Sequence, residues 1–476
     1  MRDYASSVIE FIEERREVFS DIAMRIWEYA ELGLMEFRSS ELLSNTLEAS
    51  GFSVARGVAD MPTAFVASWG RGKPVIGIIG EYDALPGLSQ KPVPWREPLV
   101  EGAPGHGCGH NIHGASGLAA ALAVKEAMEE LGVGGTVRFY GTPAEENFSG
   151  KVFMVREGLF DDVDAVISHH PADMNAATLL SSLAVISCRF HFYGQASHAA
   201  ASPEEGRSAL DGVELMNVGV NYLREHLIQE ARIHYVVERG GEQPNVVPEY
   251  ARSWYYVRAP EVDQLERIYG RVLDVARGAA LMSGTRVEVE VMDAMYNVVP
   301  NKPIASRIVE NMRLIGVPEL SEEERSFAEG IAKTIPREVK ENELRKSRRP
   351  GWERLLDKLM DDEVPDPWGE GEYAMGSTDV GDVSWKAPAV EFNTAAWVLG
   401  TPAHSWQSTA QSGSPLAKRS LLFAAKVMSL TVLDLLTDDD LLSRAKEDHL
   451  SRLRGRNYRP LIPSELKPQV EFWKRR

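Results

Sequence analysis

Three kinds of hydrophobic spacing alternate along this chain, and each predicts a different element. Over residues 3–50 the apolar positions fall at helical intervals: Val8, Phe11 and Ile12, then Ile22, Ile26 and Tyr29, then Leu42, Leu43 and Leu47, with Gly51 ending the run. Residues 74–80 read PVIGIIG, apolar without alternation, which suits a central strand covered on both faces. Residues 136–141 (TVRFYG), 164–168 (DAVIS) and 389–392 (AVEF) are predicted as further strands, and a small-residue helix runs from Gly114 to about Leu131. The third spacing is alternation. Ile186, Cys188, Phe190 and Phe192 interleave with Ser187, Arg189, His191 and Tyr193, a half-buried strand. A helix follows with Leu210, Val213, Met216, Val220 and Leu223 on one stripe, then strands near 231–238 and 250–258. A second helix carries Leu265, Ile268, Val272, Val275 and Ala279, and a last strand carries Val287, Val289 and Val291. That order, βαββαβ, is that of a ferredoxin-like module. It is predicted as an insertion over 186–293 in a larger α/β domain made of 1–185 and 294–476.

The residues just beyond the strands of the larger domain give the pattern its chemistry. Strand 74–80 leads into Glu81-Tyr82-Asp83, strand 136–141 into Thr142-Pro143-Ala144-Glu145-Glu146, and strand 164–168 into His169-His170-Pro171; the loop after 389–392 carries His404. In an open α/β sheet, ligands bind in the crevice beyond the carboxyl ends of the strands. Ahead of the small-residue helix stands HGCGHNIH, residues 106–113, with three His and one of the two cysteines. Thiolate and imidazole both ligate divalent metals, and a C-x-H step in a Gly-rich turn lets Cys108 and His110 reach one ion. Taken singly, a Glu-Glu pair suits a solvated loop, and His169 or His170 a hydrogen-bonded core. Taken together, Glu81, Asp83, Cys108, His110, Glu145, Glu146, His169, His170 and His404 supply enough donors for two divalent ions sharing a water. Consecutive glutamates at a strand end diverge, so one can bind metal while the other serves as general base.

Charge narrows the partners. A net charge of −18 over 476 residues leaves no basic footprint for nucleic acid or an anionic membrane surface. No run of eighteen apolar residues predicts a membrane span. Two cysteines make no disulfide framework, and the start, MRDYASSVIEFIEERREVF, lacks the apolar core of a signal peptide; a soluble cytoplasmic protein is expected. Residues 320–370 read as charge-rich surface helices and an excursion, and the last thirty as a polar tail packed over the surface.

The strings EYDALPGL at 81–88, GHGCGHN at 105–111, GTPAEE at 141–146 and the His-Pro step at 170–171 resemble the aminoacylase and carboxypeptidase family of dinuclear-metal amidohydrolases. Within it they look most like the C-x-H branch, which cleaves N-acyl and N-aroyl amino acids. GKVFMVREGLFDDVDA at 150–165, GRSALDGVELM at 206–216, PNVVPE at 244–249, STDVGDVSWK at 377–386 and GTPAHSWQ at 400–407 carry the likeness nearly end to end, most weakly around 320–375 and in the tail. They narrow the implied substrate to p-aminobenzoyl-glutamate.

The resemblance implies a metal-binding catalytic domain with an inserted lid and dimerisation domain. It implies two divalent ions per subunit, manganese or zinc, held by Cys108, His110, Glu146, His170 and His404, with Glu145 as general base and Asp83 orienting a ligand. It assigns His198, in GQASHAA, to polarising the scissile carbonyl, and Asn245 and Arg258 to the oxyanion and the substrate carboxylate. In dimeric relatives these three reach the partner's site, so a homodimer through the inserted module is implied, with a related second subunit as a further possible partner. One position departs from the wider family: Glu81 stands where many relatives have a His ligand, and either the Cys108 thiolate replaces that donor, bridging the ions, or Glu81 itself takes part; the former is preferred. Rival readings are a dipeptidase, a hydrolase of indole-acetyl-type conjugates, a non-catalytic partner subunit on an amidase scaffold, and Cys108 as a thiol nucleophile beside His110.

Overall fold

The computed structural model describes residues 3–473. Helices α1 (Asp3–Glu14), α2 (Arg16–Tyr29) and α3 (Phe37–Ala49) fill the first fifty residues, as their periodicity predicts. Strands β1 (Ser53–Arg56) and β2 (Phe65–Arg71) come next, and the hydrophobic pattern does not predict them. β1 is a four-residue edge strand, and β2 beside it is buried only toward its start, so no long apolar run announces them. Then follow β3 (Val75–Glu81), α4 (His110–Leu131), β4 (Gly135–Thr142), α5 (Glu145–Phe148), α6 (Gly150–Arg156) and β5 (Ala165–Ala172). The alternating region forms β6 (Ala184–Tyr193), α7 (Ala209–Arg224), β7 (Arg232–Arg239), β8 (Tyr250–Ala259), α8 (Val262–Ser283) and β9 (Arg286–Met295). The chain closes with α9 (Lys302–Ile315), α10 (Glu322–Ala332), α11 (Arg337–Lys346), α12 (Val380–Lys386), β10 (Ala389–Ala395), α13 (Trp406–Ser412), α14 (Pro415–Thr437) and α15 (Asp439–Leu453).

The large sheet has the order β1-β2-β4-β3-β5-β10. Neighbours from β4 to β10 run parallel, while β2 is antiparallel to β4 and β1 to β2. This is the mostly parallel, helix-flanked α/β sheet that the unbroken apolar strands imply. Helix α4 lies buried against the sheet, side by side with α14. Its small residues permit the approach: a Cβ on Gly114 would sit 2.7 Å from the Glu81 carbonyl oxygen. Gly114→Val should therefore cost about 1–3 kcal/mol by overpacking. Urea denaturation checks this, and a wild-type midpoint would contradict it. Helix α14 has the length and apolarity of a membrane span, but 89% of its most apolar window is buried, which makes it a core helix here.

The second sheet is antiparallel, ordered β7-β8-β6-β9, with α7 and α8 packed on one face over Phe190, Phe192, Met216 and Val272. That is the ferredoxin-like strand order the sequence pattern predicts.

The stretch around 320–370 is more than a solvated excursion. Ala328 and Ile331 of α10 pack with Ala395 and Val398, and Leu344 of α11 packs with Leu355 and Leu399. Arg349 is fully buried, 2.5 Å from Asp361 Oδ2 and 2.8 Å from Glu363 Oε2. The segment thus clamps the end of β10 and the loop that follows it.

Candidate active site

The carboxyl ends of the parallel strands make the floor of a buried cluster. Glu81 ends β3, Glu145 and Glu146 open α5 just beyond β4, and His404 lies in the loop after β10. β5 departs from expectation. His169 and His170 lie within the strand rather than after it, because it continues to Ala172. Successive side chains of a strand face opposite ways, and this separates the two rings. His169 packs into the core, its Nδ1 2.9 Å from Ser116 Oγ and its Nε2 2.8 Å from Thr394 Oγ1, and burial holds its pKa well down. His170 turns to the cluster, its Nε2 3.3 Å from Cys108 Sγ.

Cys108 and His110 arrive on the turn before α4, which begins at His110, one turn earlier than predicted. Gly109 makes that turn possible. Its φ is 75°, and a Cβ there would lie 2.6 Å from Pro171 Cγ, so only glycine lets the loop rest against the His170-Pro171 step. The first histidine of the motif has another task. His106 is buried and donates through Nε2 to the Ile26 carbonyl oxygen at 2.9 Å, pinning the loop to α2. Burial pushes its pKa down to about 3.

Donor atoms of Cys108, His110 and His170 lie within 4.8 Å of one another, as do those of Cys108, Glu146 and His404, and those of His110, Glu145 and Glu146. His404 takes a left-handed backbone (φ 56°), with its N–H on the Gly107 carbonyl oxygen at 3.2 Å and its Nε2 3.4 Å from Glu146 Oε1. Ala144 and Ser149 bracket α5 in the same strained region, φ 61° and 50°. Their turn is fixed by the Ala144 N–H on Glu36 Oε1 (2.8 Å) and the Ser149 hydroxyl on Asp293 Oδ2 (2.5 Å). Such strain persists only where the surroundings enforce it, and it gathers at functional sites. Asp83 ties the cluster together. Its Oδ1 lies 2.8 Å from His110 Nδ1, and its Oδ2 accepts the Glu146 backbone N–H at 3.0 Å.

The electrostatics call for a cation. Burial, reinforced by Glu81 and Glu146, pushes the Glu145 carboxyl well up. Burial likewise raises Glu146, to about 7, against the opposing pull of His110. His110 Nε2 and Glu146 Oε1 are buried without a hydrogen-bond partner, although Glu81 Oε2 stands 3.1 Å from the former and His404 Nε2 3.4 Å from the latter. Crowded carboxylates, a thiol and an orphaned imidazole nitrogen are the donor set that divalent ions such as zinc or manganese accept. The residues fit the metals that the sequence implies.

Beneath the cluster lies a second layer that spacing does not reveal. Lys151 is fully buried, its Nζ 2.5 Å from Glu81 Oε1 and 2.6 Å from Asp379 Oδ1, and its backbone N–H donates to Asp379 Oδ2 at 2.9 Å. Burial alone would favour the neutral amine, but Asp379, Glu81 and Glu145 outweigh it and hold the lysine charged. His113, one helical turn after His110, accepts the Glu81 backbone N–H on Nδ1 at 2.9 Å. Its Nε2 therefore carries the proton and donates to Ser168 Oγ at 3.1 Å, and Ser168 donates on to Glu391 Oε2 at 3.1 Å.

The residues predicted in the inserted module stay away from this cluster. His198 and Asn245 are exposed neighbours, joined by the Ala199 N–H on the Asn245 carbonyl oxygen at 3.0 Å. His198 Nδ1 accepts the N–H groups of Ala200 and Ala201 at 3.2 and 3.0 Å, which leaves Nε2 to donate outward. Arg258 comes closer, its Nη1 3.4 Å from Ser377 Oγ, two residues from Asp379. Its Nε is buried without a partner, and no carboxylate among the described residues pairs with it. Cys188, the other cysteine, is buried in β6 and unpaired, as is Cys108.

Known proteins match the chain over most of its length. A family model described as peptidase family M20/M25/M40 matches residues 77–335. One subunit of the p-aminobenzoyl-glutamate hydrolase of Escherichia coli strain K12, the one designated B, is 41% identical, over 98% of this chain and 99% of its own. A Xaa-Arg dipeptidase of Mus musculus is 30% identical over 94% of this chain and 92% of its own. The crystal structure of a dinuclear metal binding peptidase of the M20 family from Bacillus subtilis superposes with a TM-score of 0.54 at 19% identity, covering 88% of this chain and 99% of that one. The chain belongs to peptidase family M20/M25/M40 and is, with that family, a hydrolase of amide bonds.

Proposed function

We propose that this protein is a metal-dependent amidohydrolase that cleaves the amide bond of N-aroyl amino acids, with p-aminobenzoyl-glutamate as its substrate. The observation that carries the reading is the convergence of Cys108, His110, Glu146, His170 and His404 beside a second glutamate, Glu145. These five would hold two divalent ions, manganese or zinc, with Cys108 standing in for the donor lost at Glu81, which is already committed to Lys151. When bound, such ions polarise the scissile carbonyl and make water acidic enough to attack near neutral pH.

The chain supplies the rest. Glu145 takes the proton from the attacking water as its oxygen bonds to the amide carbon, then returns that proton to the nitrogen as the C–N bond breaks. Both roles suit a carboxyl whose pKa lies above its ordinary range. Asp83 fixes the His110 ring and the Glu146 backbone. Asp83→Asn should therefore weaken metal retention about 10- to 100-fold, as loss of such supporting contacts does. Competition with a chromophoric chelator measures it, and unchanged retention would contradict the role. Arg258, a cation without a carboxylate partner, is fitted to pair bidentately with the substrate's carboxylate.

His198 and Asn245 act on the oxyanion across a homodimer, each on the partner's site. What supports a dimer is the unpaired edge of β7 with exposed Val236 and Val237, and the exposed Val218 and Tyr222 of α7. A second, related subunit and a cytoplasmic location belong to the same reading.

The test is a substrate panel with the manganese- or zinc-loaded protein. Release of p-aminobenzoate from p-aminobenzoyl-glutamate, abolished by a chelator and restored by metal, is the expected result. Cleavage confined to peptides ending in arginine would overturn the substrate, and no cleavage of any amide would favour a non-catalytic subunit.

A further inference from the structure

A cavity of about 280 Å³ opens beside the cluster at the β10 edge of the large sheet. Among its walls are Asp173, Thr178, Trp368, Val380, Glu391 and Asn393. Its position is set by strand register. Glu391 and Asn393 of β10 pair with Ser168 and His170 of β5, and laterally paired residues of adjacent strands share a face. The cavity thus begins one strand away from His170, on the same side of the sheet. Two contacts tie its wall to the cluster: Asn393 Nδ2 donates to the His170 carbonyl oxygen at 3.0 Å, and Glu391 Oε2 lies 3.1 Å from Ser168 Oγ. The charge-rich 320–375 region closes the cavity through Trp368, whose indole N–H is held by the Ser347 carbonyl oxygen at 2.9 Å.

The charge of the lining is one-sided. It contains two carboxylates, Asp173 and Glu391, and no Lys, Arg or His among the described residues. Glu391 is 23% exposed, and Asn393, with its amino group engaged, has its side-chain carbonyl oxygen free to accept. The lining is otherwise mostly apolar, with an indole among its walls, and the volume suits one ring or one side chain rather than a whole dipeptide. A carboxylate entering here would meet like charge from the lining itself. The unpartnered cation, Arg258, is not among the lining residues; its Nη1 lies 3.4 Å from Ser377 Oγ, next to Thr378 of the wall.

An aroyl-glutamate has both of its carboxylates on one side of the scissile amide and none on the other. Resting on the function proposed above, we infer that this cavity is the acyl-side subsite. It holds a flat, uncharged ring, takes a hydrogen-bond donor on that ring at Glu391 and Asn393, and rejects acyl groups that carry a carboxylate. The glutamate end, with both of its carboxylates, stays outside the cavity. A basic amino-acid side chain is the competing occupant that an acidic lining admits, and the experiment separates the two.

The metal-loaded enzyme is assayed on p-aminobenzoyl-glutamate, 4-carboxybenzoyl-glutamate and acetyl-glutamate, and on p-aminobenzoyl-arginine. Wild type should prefer the p-amino over the 4-carboxy substrate by on the order of 10–100-fold in kcat/KM. Thr178→Arg, which puts a cation into the cavity, should narrow or invert that ratio. Thr178→Trp, which fills it, should lower the ratio of p-aminobenzoyl- to acetyl-glutamate cleavage by about tenfold, the scale of losing one ring contact. A readout free of catalysis accompanies these: p-aminobenzamide should bind metal-free wild type and not Thr178→Trp in saturation-transfer NMR. If the variants still cleave p-aminobenzoyl-glutamate with unchanged ratios, the cavity is not the acyl subsite, while the amidase reading stands. If Thr178→Arg instead shifts the choice between glutamate and arginine, the cavity holds the amino-acid side chain and the inference is overturned. If wild type cleaves no aroyl amino acid, the proposed function falls and takes the subsite with it.

Discussion

Glu145→Gln is expected to lower kcat for amide hydrolysis by roughly 10²–10⁴-fold, the range in which a positioned general acid–base contributes. Metal content and KM should change little, because the variant keeps the side chain's size and Glu145 is not among the five proposed ligands. Its neighbour gives the contrast. Glu146 lies within reach of both Cys108 and His404, so Glu146→Gln should lose activity together with bound metal. Two adjacent glutamates would thus fail in different ways, one by chemistry and one by occupancy. The measurement is kcat beside metal stoichiometry on the same preparations. Loss of metal in Glu145→Gln, or full activity in it, would remove Glu145 from the role of base.

Lys151→Met should cost the fold about 3–5 kcal/mol, the scale for removing one partner of a buried ion pair. The lysine is fully buried between Glu81 and Asp379, and its loss strands two carboxylates in a region already crowded by Glu145. The cost comes mainly from the charge left behind, so adding Asp379→Asn to Lys151→Met should recover part of it. Urea midpoints of the single and double variants test this. A Lys151→Met midpoint equal to wild type would contradict it, as would a double variant weaker than the sum of its parts.

Much of the site is legible in the sequence because its residues lie at strand ends, where an apolar run stops and the next few residues face the crevice. Glu81, Asp83, Glu145 and Glu146 can be gathered in that way, and Cys108-x-His110 by its Gly-rich C-x-H step; the structure brings them together with His170 and His404. The choice between His169 and His170 is not legible from spacing, since it depends on how far β5 continues, and pairing with β10 carries it to Ala172. Lys151 and Asp379 are silent for a different reason. They stand 228 residues apart, each looks like a surface charge in its own stretch, and only tertiary packing buries them together. The same applies to Glu391, which reaches the cluster through Ser168 and His113.

The fold divides along the same line. Long periodic helices and unbroken apolar strands declare themselves, as do the alternating β6 and β9. The edge strand β1 and its neighbour β2 do not, because the one has four mostly exposed residues and the other is buried only toward its start, so neither carries a long apolar run. The charge-rich 320–375 stretch reads as solvated, yet it holds a buried Arg349 ion pair and the indole that closes the cavity beside the site.

The central claim is that Cys108, His110, Glu146, His170 and His404 form one dinuclear metal centre. Metal content per chain, measured by elemental mass spectrometry after loading and desalting, tests it most directly in wild type beside Cys108→Ala and His170→Ala. The account predicts about two ions per wild-type chain and a clear loss in each variant, because five donors shared by two ions leave little to spare. Wild type that retains no divalent ion, or variants that retain as much as wild type, would contradict it.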